Sequence, residues 1–507
     1  MMRLIETNLD LYRYEIHSLV REFYPATEIK VVVEGDERDE KLHREVPYVF
    51  LRVHFDRDCM GLILKDGEAA EPLTFERRRE SGEPLPFNEK GKETKDILKT
   101  FLYETLSRVT GRQLPWGDLI GIRPTKIAMT RMENGETGEE AAAFLQREHH
   151  VSEEKANLSV DIAKREAKIL SPIHYRDGFS LYIGIPFCPT TCLYCSFPSF
   201  NVALWKDRVD DYVDALIKEI AATADLMRGK ILDTVYIGGG TPTTLEAEQL
   251  ERLISAVEEN FDTSHLCEFT VEAGRADSIT KEKLEALRRH RVSRISVNPQ
   301  TMKEETLRII GRHHTVQQVR DSYRLARECG FDNINMDIIL GLPGEDAGDV
   351  RHTMEEIEKL SPDSLTVHSL AIKRASRLRR IIDEKGYPAF VNTEETMRIA
   401  DEGARRMGME PYYLYRQKQM SGNFENTGYA REDKYGIYNI LIMEEKQSIL
   451  ALGAGSISKL VFYTENPDGT ENIRIERADN PKDVATYIEN IDEMIRRKEK
   501  LYRIQGR

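Results

Sequence analysis

The chain has 507 residues, 40% of them hydrophobic, and a net charge of −14, so we expect two or three domains with substantial cores. The acidic balance argues against nucleic acid or a membrane as the main partner, and neither a membrane-spanning run nor a signal-peptide pattern is found. Six cysteines in so long a chain do not make a disulfide framework, so we expect a reducing, cytoplasmic compartment.

Residues 1–110 are predicted to form a small α/β domain. Apolar residues recur at helical spacing over 11–23, and β-branched and aromatic residues indicate strands at 28–34 and 46–55. Residues 60–75 fit a hairpin that turns at an Asp-Gly pair. No catalytic constellation is found in this part.

Residues 111–178 are predicted to form a helical linker region. Segment 114–126 contains Trp116, one of two tryptophans, with Arg123 and Lys126 close by. The segment is either a lid that clamps substrate or an ordered linker, and we favour the linker.

Several histidines and cysteines, although they are residue types that can bind metals, are not expected to do so in this chain. His149 and His150 lie in a charged helical stretch and should be solvated, whereas His313 and His314 are adjacent and should point apart. Three scattered cysteines are expected to be buried or half-buried, namely Cys59, Cys267 and Cys329.

From residue 179 to about residue 370, strands alternate with helices. The six predicted strands cover 181–185, 234–237, 268–272, 294–297, 333–340 and 364–370. Repeated βα units predict a parallel sheet, either doubly wound or barrel-like. Motifs at the carboxyl ends of successive strands favour the mouth of a barrel.

The first of these strands leads into a loop with three cysteines. Cys188, Cys192 and Cys195 follow Pro186 at CxxxCxxC spacing. A mononuclear zinc site would want a fourth Cys or His nearby, whereas an iron–sulfur cube takes Cys thiolates and can leave one iron open. Core cysteines that happen to lie close are the third possibility, and we favour the iron–sulfur cube.

The string YIGIPFC at 182–188, with Tyr194 just before the third cysteine, resembles radical S-adenosylmethionine (SAM) enzymes, and more narrowly the oxygen-independent coproporphyrinogen III oxidase (dehydrogenase) family. The resemblance implies an α/β fold with an incomplete (β/α)6 radical SAM barrel at 179–400. A separate N-terminal α/β domain would precede the barrel, and residues 401–507 would close it.

The resemblance also implies the cofactors. The three cysteines would hold a four-iron, four-sulfur (4Fe-4S) cluster whose fourth iron binds SAM. Reductive cleavage of SAM releases a 5′-deoxyadenosyl radical, which abstracts a hydrogen atom from the substrate.

Further residues match positions that contact SAM in this family. The implied set is Tyr182 and Tyr194 around the cluster loop, Gly239, Gly240 and Thr241 in a GGGTPT motif, Glu272 after the third strand, Gln300 and Arg312 after the fourth, Asp337 and Ile339 in the fifth, Ala371 after the sixth, and Ile457 in a late glycine-rich strand.

Several of these assignments have a physical rationale. Glu272 supplies a carboxylate for the ammonium of SAM, and Arg312 is a planar bidentate donor for its carboxylate side. Asp337 is a lone acid in an apolar strand and needs polar partners, which the ribose hydroxyls would supply. Arg275 departs from the family pattern and is expected to face the substrate.

Other departures concern the substrate. Phe197 and Gly184 stand where the founding enzymes carry a fourth cysteine and a histidine. A sister group of haem chaperones also lacks that cysteine, but of its HNxxYW motif this chain keeps only Asn426 and Tyr429. The chain most resembles a third group, coproporphyrinogen dehydrogenases with a long N-terminal extension and a short C-terminus.

The implied substrate is a tetrapyrrole that bears propionates, two of which would become vinyl groups. A haem chaperone and a radical SAM enzyme for another substrate are the alternatives, and the electron donor would be a protein such as flavodoxin or ferredoxin. Cations that would bind the propionates, or that would form a solvated helix face instead, are Lys373, Arg374, Arg377, Arg379, Arg380, Arg416 and Lys418.

Overall fold

The structure, a computed structural model, describes residues 2–24, 27–40, 42, 46, 48–56, 59–78, 92–121, 123–373, 376–385, 392–416, 424–465 and 471–505. The chain divides into two compact units. One is Met1–Asp161 with Arg416 and Phe424, and the other comprises Ile162–Tyr415 and Glu425–Arg507. The predicted boundaries after residues 110, 178 and 400 stay predictions.

The first unit is built on a five-stranded sheet in the order β2-β1-β3-β4-β5. Its strands are β1 (Met2–Thr7), β2 (Glu28–Val33), β3 (Val49–Phe55), β4 (Cys59–Leu64) and β5 (Leu73–Arg78). Its helices are Arg13–Phe23, Lys92–Thr110, Pro124–Glu133 and Gly138–His149. The predicted helix, strands and hairpin are confirmed, whereas β1, which pairs in parallel with β2 and β3, was not predicted.

Trp116 belongs to the core of this unit. Its side chain has no exposed surface, and the guanidinium carbon of Arg416 lies 5.3 Å from the ring centroid. Arg416 is itself buried and donates a hydrogen bond to the carbonyl of Leu119. The segment is therefore an ordered part of the fold. Because Arg416 is buried, it does not belong to a solvated face of cations.

The expectation that His149 and His150 are solvated is wrong. His149 Nδ1 lies 3.0 Å from Oδ1 of the buried Asp118, and the ring of His150 stacks on Tyr103 with centroids 4.9 Å apart. A buried carboxylate needs a polar partner, and His149 provides one.

The second unit contains an eleven-stranded sheet and a separate pair, β7-β8. The strands are β6 (Gly178–Ile185), β7 (Phe187–Cys188), β8 (Phe200–Asn201), β9 (Ile231–Gly239), β10 (Glu268–Glu272), β11 (Arg294–Ser296), β12 (Ile334–Leu340), β13 (Ser364–Ser369), β14 (Glu410–Tyr415), β15 (Asn426–Ala430), β16 (Ser448–Leu452), β17 (Ile457–Glu465) and β18 (Glu471–Asp479). The large sheet has the order β14-β15-β13-β12-β11-β10-β9-β6-β16-β17-β18.

The six predicted strands are present as β6 and β9–β13. They lie side by side in chain order, and each pairs in parallel with the next. The helices of this unit are Val209–Leu226, Ala247–Asn260, Lys281–Arg289, Glu304–Ile309, Val316–Glu328, Ala347–Leu360, Arg377–Lys385, Glu394–Arg406, Ile437–Glu444, Val484–Glu489 and Ile491–Gln505, and Glu153–Ile169 crosses the division between the units. The parallel order brings the carboxyl ends of the six strands to one edge of the sheet.

Local sequence explains how the helices between these strands begin and pack. Thr315 precedes helix Val316–Glu328, and its hydroxyl accepts a hydrogen bond from Gln318 N at 3.1 Å while the Gln318 side chain accepts one from Thr315 N at 2.8 Å. The buried side chains Val316, Val319 and Tyr323 recur at helical spacing. The helix therefore starts at a capping box and buries one face.

A buried ion pair joins helix Ile491–Gln505 to helix Val209–Leu226. Lys498 Nζ lies 2.5 Å from Glu219 Oε1, and both side chains are at most 5% exposed. Glu219 also accepts hydrogen bonds from Asn480, Tyr487 and Gly453 N. Burial alone would raise the pKa of Glu219, but Lys498 and these donors hold it below its ordinary value.

Replacing Lys498 by Met should lower the free energy of unfolding by about 3 kcal/mol, because Glu219 would remain as a buried charge without its cation. Urea denaturation of the wild-type and variant proteins measures this difference. The control is Lys500→Met, which removes an exposed lysine from the same helix and should have almost no effect. Equal loss in both variants would contradict the assigned role of the pair.

The scattered cysteines only partly follow expectation. Cys59 and Cys329 are half-buried, but Cys267 is exposed because it lies in the turn just before β10 begins. No helix in the described part of the chain combines the length and apolar character that crossing a membrane requires.

Candidate cofactor site

The three cysteines lie on the segment that follows β6, at the carboxyl edge of the parallel strands. Cys188 ends β7 and, like Cys195, is half-buried, while Cys192 is 8% exposed. Thr241, just beyond the end of β9, donates a hydrogen bond from Oγ1 to Cys188 Sγ at 3.5 Å. Its backbone N donates to Phe187 O at 2.7 Å. The end of β9 therefore fixes the position of the first cysteine.

Burial affects the acidity of the thiols. Burial raises the pKa of Cys188 to about 11 and also raises that of Cys195, so their thiolates need cations nearby. A metal centre bound by these thiolates would supply such cations.

The glycines at the end of β9 leave no room for side chains. A Cβ on Gly240 would lie 2.6 Å from Phe187 O and 3.0 Å from Cys188 Sγ. Gly239 has a φ of +110°, and a Cβ there would lie 3.1 Å from Ile185 O. The motif thus brings its backbone directly against the cysteine segment, whereas its predicted contact with methionine stays a prediction.

Glu272 lies at the end of β10 beside a stack of tyrosines. Tyr236 donates a hydrogen bond from its hydroxyl to Glu272 Oε1, and its ring stacks on Tyr438 with centroids 4.5 Å apart. Tyr182 stacks on both rings at 6.2 and 6.1 Å. Burial raises the pKa of Glu272 to about 7, although the hydrogen bond from Tyr236 acts in the opposite direction.

SAM affinity should rise as the pH increases through about 7 if Glu272 pairs with the ammonium group, because the carboxylate forms over that range. The Tyr236→Phe variant removes a hydrogen bond that favours the charged form, so the midpoint should move to higher pH. Calorimetric Kd values from about pH 6 to pH 8.5 measure both effects.

The control for this pH dependence is Tyr463→Phe, which removes a hydroxyl that donates to the Lys446 carbonyl. It should leave the midpoint unchanged. An affinity that does not vary with pH, or an equal shift in both variants, would contradict the role of Glu272.

The raised pKa also means that the contribution of Glu272 to stability is present below pH 4.5 and is lost as the pH rises through 7.

Arg312 lies beside the cysteine segment. The side chain is buried, and its Nη1 donates to Asn298 O at 2.7 Å and to Gly274 O at 3.3 Å. Its Nη2 lies 3.5 Å from the hydroxyl of Tyr194, which precedes the third cysteine. Arg312 therefore connects the ends of β10 and β11 with the cysteine loop.

Gln300 joins β11 to β12 in a strained backbone conformation. Its φ is +67°, which is uncommon for any residue other than glycine. Its N donates to Asp337 O and its O accepts from Ile339 N, both at 2.9 Å. A residue held in such a conformation by its neighbours is a common feature of binding sites.

Asp337 faces a histidine that the sequence analysis did not single out. Oδ1 accepts from Asn335 Nδ2 at 2.7 Å, and Oδ2 lies 3.8 Å from His368 Nε2. The hydroxyl of Tyr415 lies 3.4 Å from His368 Nδ1. Burial alone would raise the pKa of Asp337, but His368 and Asn335 hold it below its ordinary value, so the carboxylate is favoured.

The expectation that Arg275 faces the substrate is wrong. Its side chain is 3% exposed and bonds to Asp277 at 2.6 and 2.9 Å. Its Nη1 donates to the carbonyl and the hydroxyl of Thr190, at 3.0 and 2.8 Å, between the first two cysteines. Arg275 is therefore a brace for the cysteine loop, and Asp277, beyond the end of β10, pairs with its guanidinium.

The histidines at 313 and 314 have different environments, as expected. His314 is 2% exposed and its Nδ1 lies 3.9 Å from Asp277 Oδ1, whereas His313 is exposed. Neither residue belongs to a cluster of metal ligands in the part of the chain that the structure describes.

The cations after β13 have different positions. Arg377 donates to the carbonyl of Thr191 at 2.5 Å, while Arg380 is exposed and lies 3.9 Å from Glu384. Lys373 and Arg379 are half-buried. Arg374 and Lys418 lie outside the described residues. Among the predicted propionate ligands that the structure describes, Arg377 is the one whose hydrogen bond places it at the cysteine loop.

Most of the predicted cofactor residues are linked by these contacts. The contacts form three groups: Tyr182, Cys188, Gly239, Gly240 and Thr241 with Glu272 through Tyr236, then Tyr194 with Arg312, and then Gln300 with Asp337 and Ile339. Ala371 is half-buried just beyond β13, and Ile457, which begins β17, is 50% exposed. Their contacts with adenine stay predictions.

The sequence analysis missed Tyr236, Tyr438 and His368 as parts of this arrangement, and it gave Arg275 a different role. Tyr236 lies two residues before Gly238 and therefore on the same face of β9, which was a usable signal. Tyr438 comes from a helix far along the chain, and no local pattern marks it.

Comparison with known proteins now identifies the family. The Radical SAM superfamily matches residues 182–357. The oxygen-independent coproporphyrinogen-III oxidase-like protein HemZ of Bacillus subtilis (strain 168) is 39% identical over 405 residues, which are 79% of this chain and 79% of HemZ. The chain belongs to the radical SAM family of coproporphyrinogen III oxidase-like proteins.

Two other members of this family extend the comparison. The heme chaperone HemW of Lactococcus lactis subsp. lactis (strain IL1403) is 39% identical over 194 residues, which are 38% of this chain and 49% of HemW. The solved radical SAM enzyme HemN, coproporphyrinogen III oxidase of Escherichia coli, matches with a TM-score of 0.50 and 24% identity, and the match covers 66% of this chain and 73% of HemN. The predicted radical SAM fold is confirmed.

Radical SAM proteins use a 4Fe-4S cluster and SAM, and these are the cofactors of this chain. The residues present fit them. The edge of the sheet carries three clustered thiols and buried polar atoms that lack a hydrogen-bond partner, namely Asn298 Oδ1, Gln300 Oε1 and Arg312 Nε. Each such atom costs about 1–3 kcal/mol when it stays unpaired, so a polar ligand at this edge would stabilise the site.

Proposed function

We propose that the chain converts two propionates of coproporphyrinogen III to vinyl groups by oxidative decarboxylation, which yields protoporphyrinogen IX. The observation that carries the proposal is the loop of three cysteines whose first member, Cys188, is fixed against the glycine turn of β9, in a chain that covers 79% of HemZ at 39% identity. When bound, the cluster and SAM supply the means to remove one hydrogen atom from a substrate carbon.

The chemistry balances for each propionate. One hydrogen atom leaves the β-carbon, the bond to the carboxylate breaks, and carbon dioxide departs. One electron passes to an acceptor, and the two remaining carbons form the vinyl double bond. Two such events convert a tetrapropionate to a dipropionate with two vinyl groups.

In this proposal the residues of the chain would hold and orient the cofactors. Cys188, Cys192 and Cys195 would hold the cluster, and the Glu272 carboxylate would pair with the SAM ammonium. Arg312 would bind the SAM carboxylate, and Asp337 would accept hydrogen bonds from the ribose hydroxyls. His368 favours the charged form of Asp337, so it positions that acceptor.

An anaerobic assay tests the proposal. Protein reconstituted with iron and sulfide is mixed with SAM, dithionite, coproporphyrinogen III and an artificial electron acceptor. Chromatography should show a monovinyl intermediate followed by the divinyl product, with one 5′-deoxyadenosine for each vinyl formed. Cleavage of SAM without consumption of the porphyrinogen would contradict the proposed substrate and leave the cofactor chemistry in place.

A haem chaperone is the second candidate, since HemW proteins are among the relatives. The structure gives it little support, because Asn426 and Tyr429, the retained residues of the haem motif, are buried within β15. Asn426 Oδ1 also accepts from Ser369 N at 2.8 Å. Titration with haem distinguishes the two candidates, since a chaperone would bind one equivalent tightly and leave SAM intact.

We further infer a cytoplasmic location and a small electron-transfer protein, such as flavodoxin or ferredoxin, as the source of electrons. The net charge of −14 supports a partner other than nucleic acid. Fractionation of cells and crosslinking to reduced flavodoxin or ferredoxin test these two inferences.

A further inference from the structure

A buried arginine and its carboxylate partner lie behind the loop that carries the cysteines. Arg275 is 3% exposed, and its Nε and Nη2 donate to the two oxygens of Asp277 at 2.9 and 2.6 Å. The remaining nitrogen, Nη1, donates to the carbonyl and the hydroxyl of Thr190 at 3.0 and 2.8 Å. Thr190 lies midway between Cys188 and Cys192. One planar guanidinium therefore binds a carboxylate along one edge and the cysteine loop with its other nitrogen, which the single ammonium of a lysine cannot reproduce.

The backbone of Arg275 is also held in place. Its carbonyl accepts hydrogen bonds from Ser278 N at 3.0 Å and from Ser278 Oγ at 2.8 Å. Ser278 Oγ lies 2.6 Å from Oγ1 of Thr243, the last residue of the GGGTPT motif that begins at the end of β9. All three side chains are buried. Arg275 is therefore anchored to the same motif whose glycines pack against Cys188.

The other anchors of the cysteine loop are different in kind. Leu193 N donates to the backbone carbonyl of Ile310 at 2.9 Å, and Arg377 donates to the carbonyl of Thr191 from an exposed side chain. A backbone amide carries no net charge, and water screens the charge of an exposed side chain. Arg275, in contrast, brings a buried charge to the loop, where its electrostatic effect is larger.

The two charges of the pair have different relations to the loop. The guanidinium bonds to Thr190 directly, whereas the described contacts of Asp277 are with Arg275 and with His314, whose Nδ1 lies 3.9 Å away. Although burial would raise the pKa of Asp277, His314 and Arg275 hold it below its ordinary value, so the carboxylate is ionised. Burial lowers the pKa of His314, which is therefore neutral at pH 8 and adds no charge.

The charge of Arg275 also acts on the first cysteine. Burial raises the pKa of Cys188 to about 11, and the positive charge of Arg275 opposes that shift. A cation that favours a thiolate also favours a reduced cluster, because reduction adds one negative charge to the centre that the thiolates hold. Net charge and hydrogen bonds around an iron–sulfur cluster are among the factors that set its reduction potential.

We propose that Arg275 is a positioning residue for the cysteine loop and that its charge, tuned by Asp277, raises the reduction potential of the cluster bound there. The guanidinium fixes Thr190, and with it the separation of the first two cysteines. Asp277 holds the guanidinium in place and cancels part of its field. The inference rests on the proposed ligation of the cluster by the three cysteines, and it does not depend on which tetrapyrrole is the substrate.

The test uses the full chain, reconstituted with iron and sulfide and kept at pH 8 without porphyrinogen. Arg275→Met removes the cation, Asp277→Asn removes the carboxylate, and the double variant removes both. The control is Arg327→Met, because Arg327 forms a comparable pair, 2.8 Å from Asp363, which precedes β13 and lies at the opposite edge of the sheet. A redox titration monitored by electron paramagnetic resonance gives the reduction potential, and the rate of iron loss to a chelator reports on the loop.

The reduction potential should shift in opposite directions in the two single variants. Arg275→Met should lower it, because the cation that favours the reduced state is gone. Asp277→Asn should raise it, because Arg275 keeps its charge and its bonds to Thr190 without the compensating carboxylate. The double variant should return close to the wild-type value, and Arg327→Met should match the wild type.

The rate of iron loss should separate the positioning role from the effect of charge. Arg275→Met should lose iron about tenfold faster than the wild type, because Thr190 loses its anchor. Arg275→Lys should restore most of the potential but little of the iron retention, since it keeps the charge and lacks the planar fork. Asp277→Asn keeps the donors to Thr190, so its potential is measurable where Arg275→Met retains too little iron.

Three outcomes would overturn the proposal. Shifts of the same sign in Arg275→Met and Asp277→Asn would assign both to displacement of the loop. A wild-type potential in Asp277→Asn, with full iron retention in Arg275→Met, would leave the pair with no effect on the cluster. A wild-type protein that holds no cluster would contradict the ligand assignment itself. Because no porphyrinogen is present, failure of the proposed substrate would leave each of these measurements unchanged.

Discussion

A Cys192→Ser variant should purify without iron and lose more than about a thousandfold of its SAM cleavage. Cys192 is the most buried of the three ligands at 8% exposed, and a serine hydroxyl is a poor ligand for a soft iron centre. With two thiolates left, the cluster lacks one of its protein ligands. Iron content, cluster absorption and the yield of 5′-deoxyadenosine measure the effect under anaerobic conditions.

The matched control is Cys267→Ser, since Cys267 is exposed in the turn before β10. This variant should keep its iron and its activity. Retention of a full cluster by Cys192→Ser, or equal loss in both variants, would show that the cysteines at 188, 192 and 195 do not form the ligand set.

A Gly240→Ala variant should lose most of its cluster or bind SAM more than about a hundredfold more weakly. The added methyl would lie 2.6 Å from the Phe187 carbonyl and 3.0 Å from Cys188 Sγ, and both belong to a segment held by backbone hydrogen bonds. The first cysteine, the glycine turn or both must shift. Iron retention on gel filtration and the Kd for SAM measure the two possible losses.

Gly61→Ala is the control for this substitution. Gly61 lies in β4 of the other unit, and a Cβ there would meet nothing within 4 Å. The control should bind iron and SAM as the wild type does. Normal iron and SAM binding by Gly240→Ala would mean that the glycine turn does not form a wall of the cofactor site.

The parallel strands were predictable because each is buried and is followed by a functional motif. The segments that became β6, β10 and β12 are buried at nearly every position, as expected for strands covered on both faces. Their order in the sheet follows from their order in the chain, and only the family resemblance indicated an incomplete barrel of six units.

The remaining strands carry weaker signals. The short segment at Met2–Thr7 is an interior strand of its sheet, yet its burial depends on partners more than 20 residues away. Strands β17 and β18 form a long antiparallel pairing in which apolar and polar residues do not alternate regularly, and apart from Ile457 at the start of β17 they carry no motif.

In the candidate site, the residues predicted to bind the cofactors were recognisable from the sequence, whereas the residues that support them were not. Cys188 and Glu272 stand at strand ends, and Asp337 is the lone acid within β12. Arg275 and His368 depend on tertiary contacts, because a brace to Thr190 and a position beside Asp337 arise only when separate strands meet. Interpreting Arg275 as a substrate residue failed for this reason.

The most direct test of the central claim is a SAM cleavage assay on anaerobically reconstituted protein with dithionite and no porphyrinogen. The account predicts a brown protein with about four irons and four sulfides per chain and 5′-deoxyadenosine formation that Cys192→Ser abolishes. A colourless protein that takes up zinc in place of iron and leaves SAM intact would contradict it.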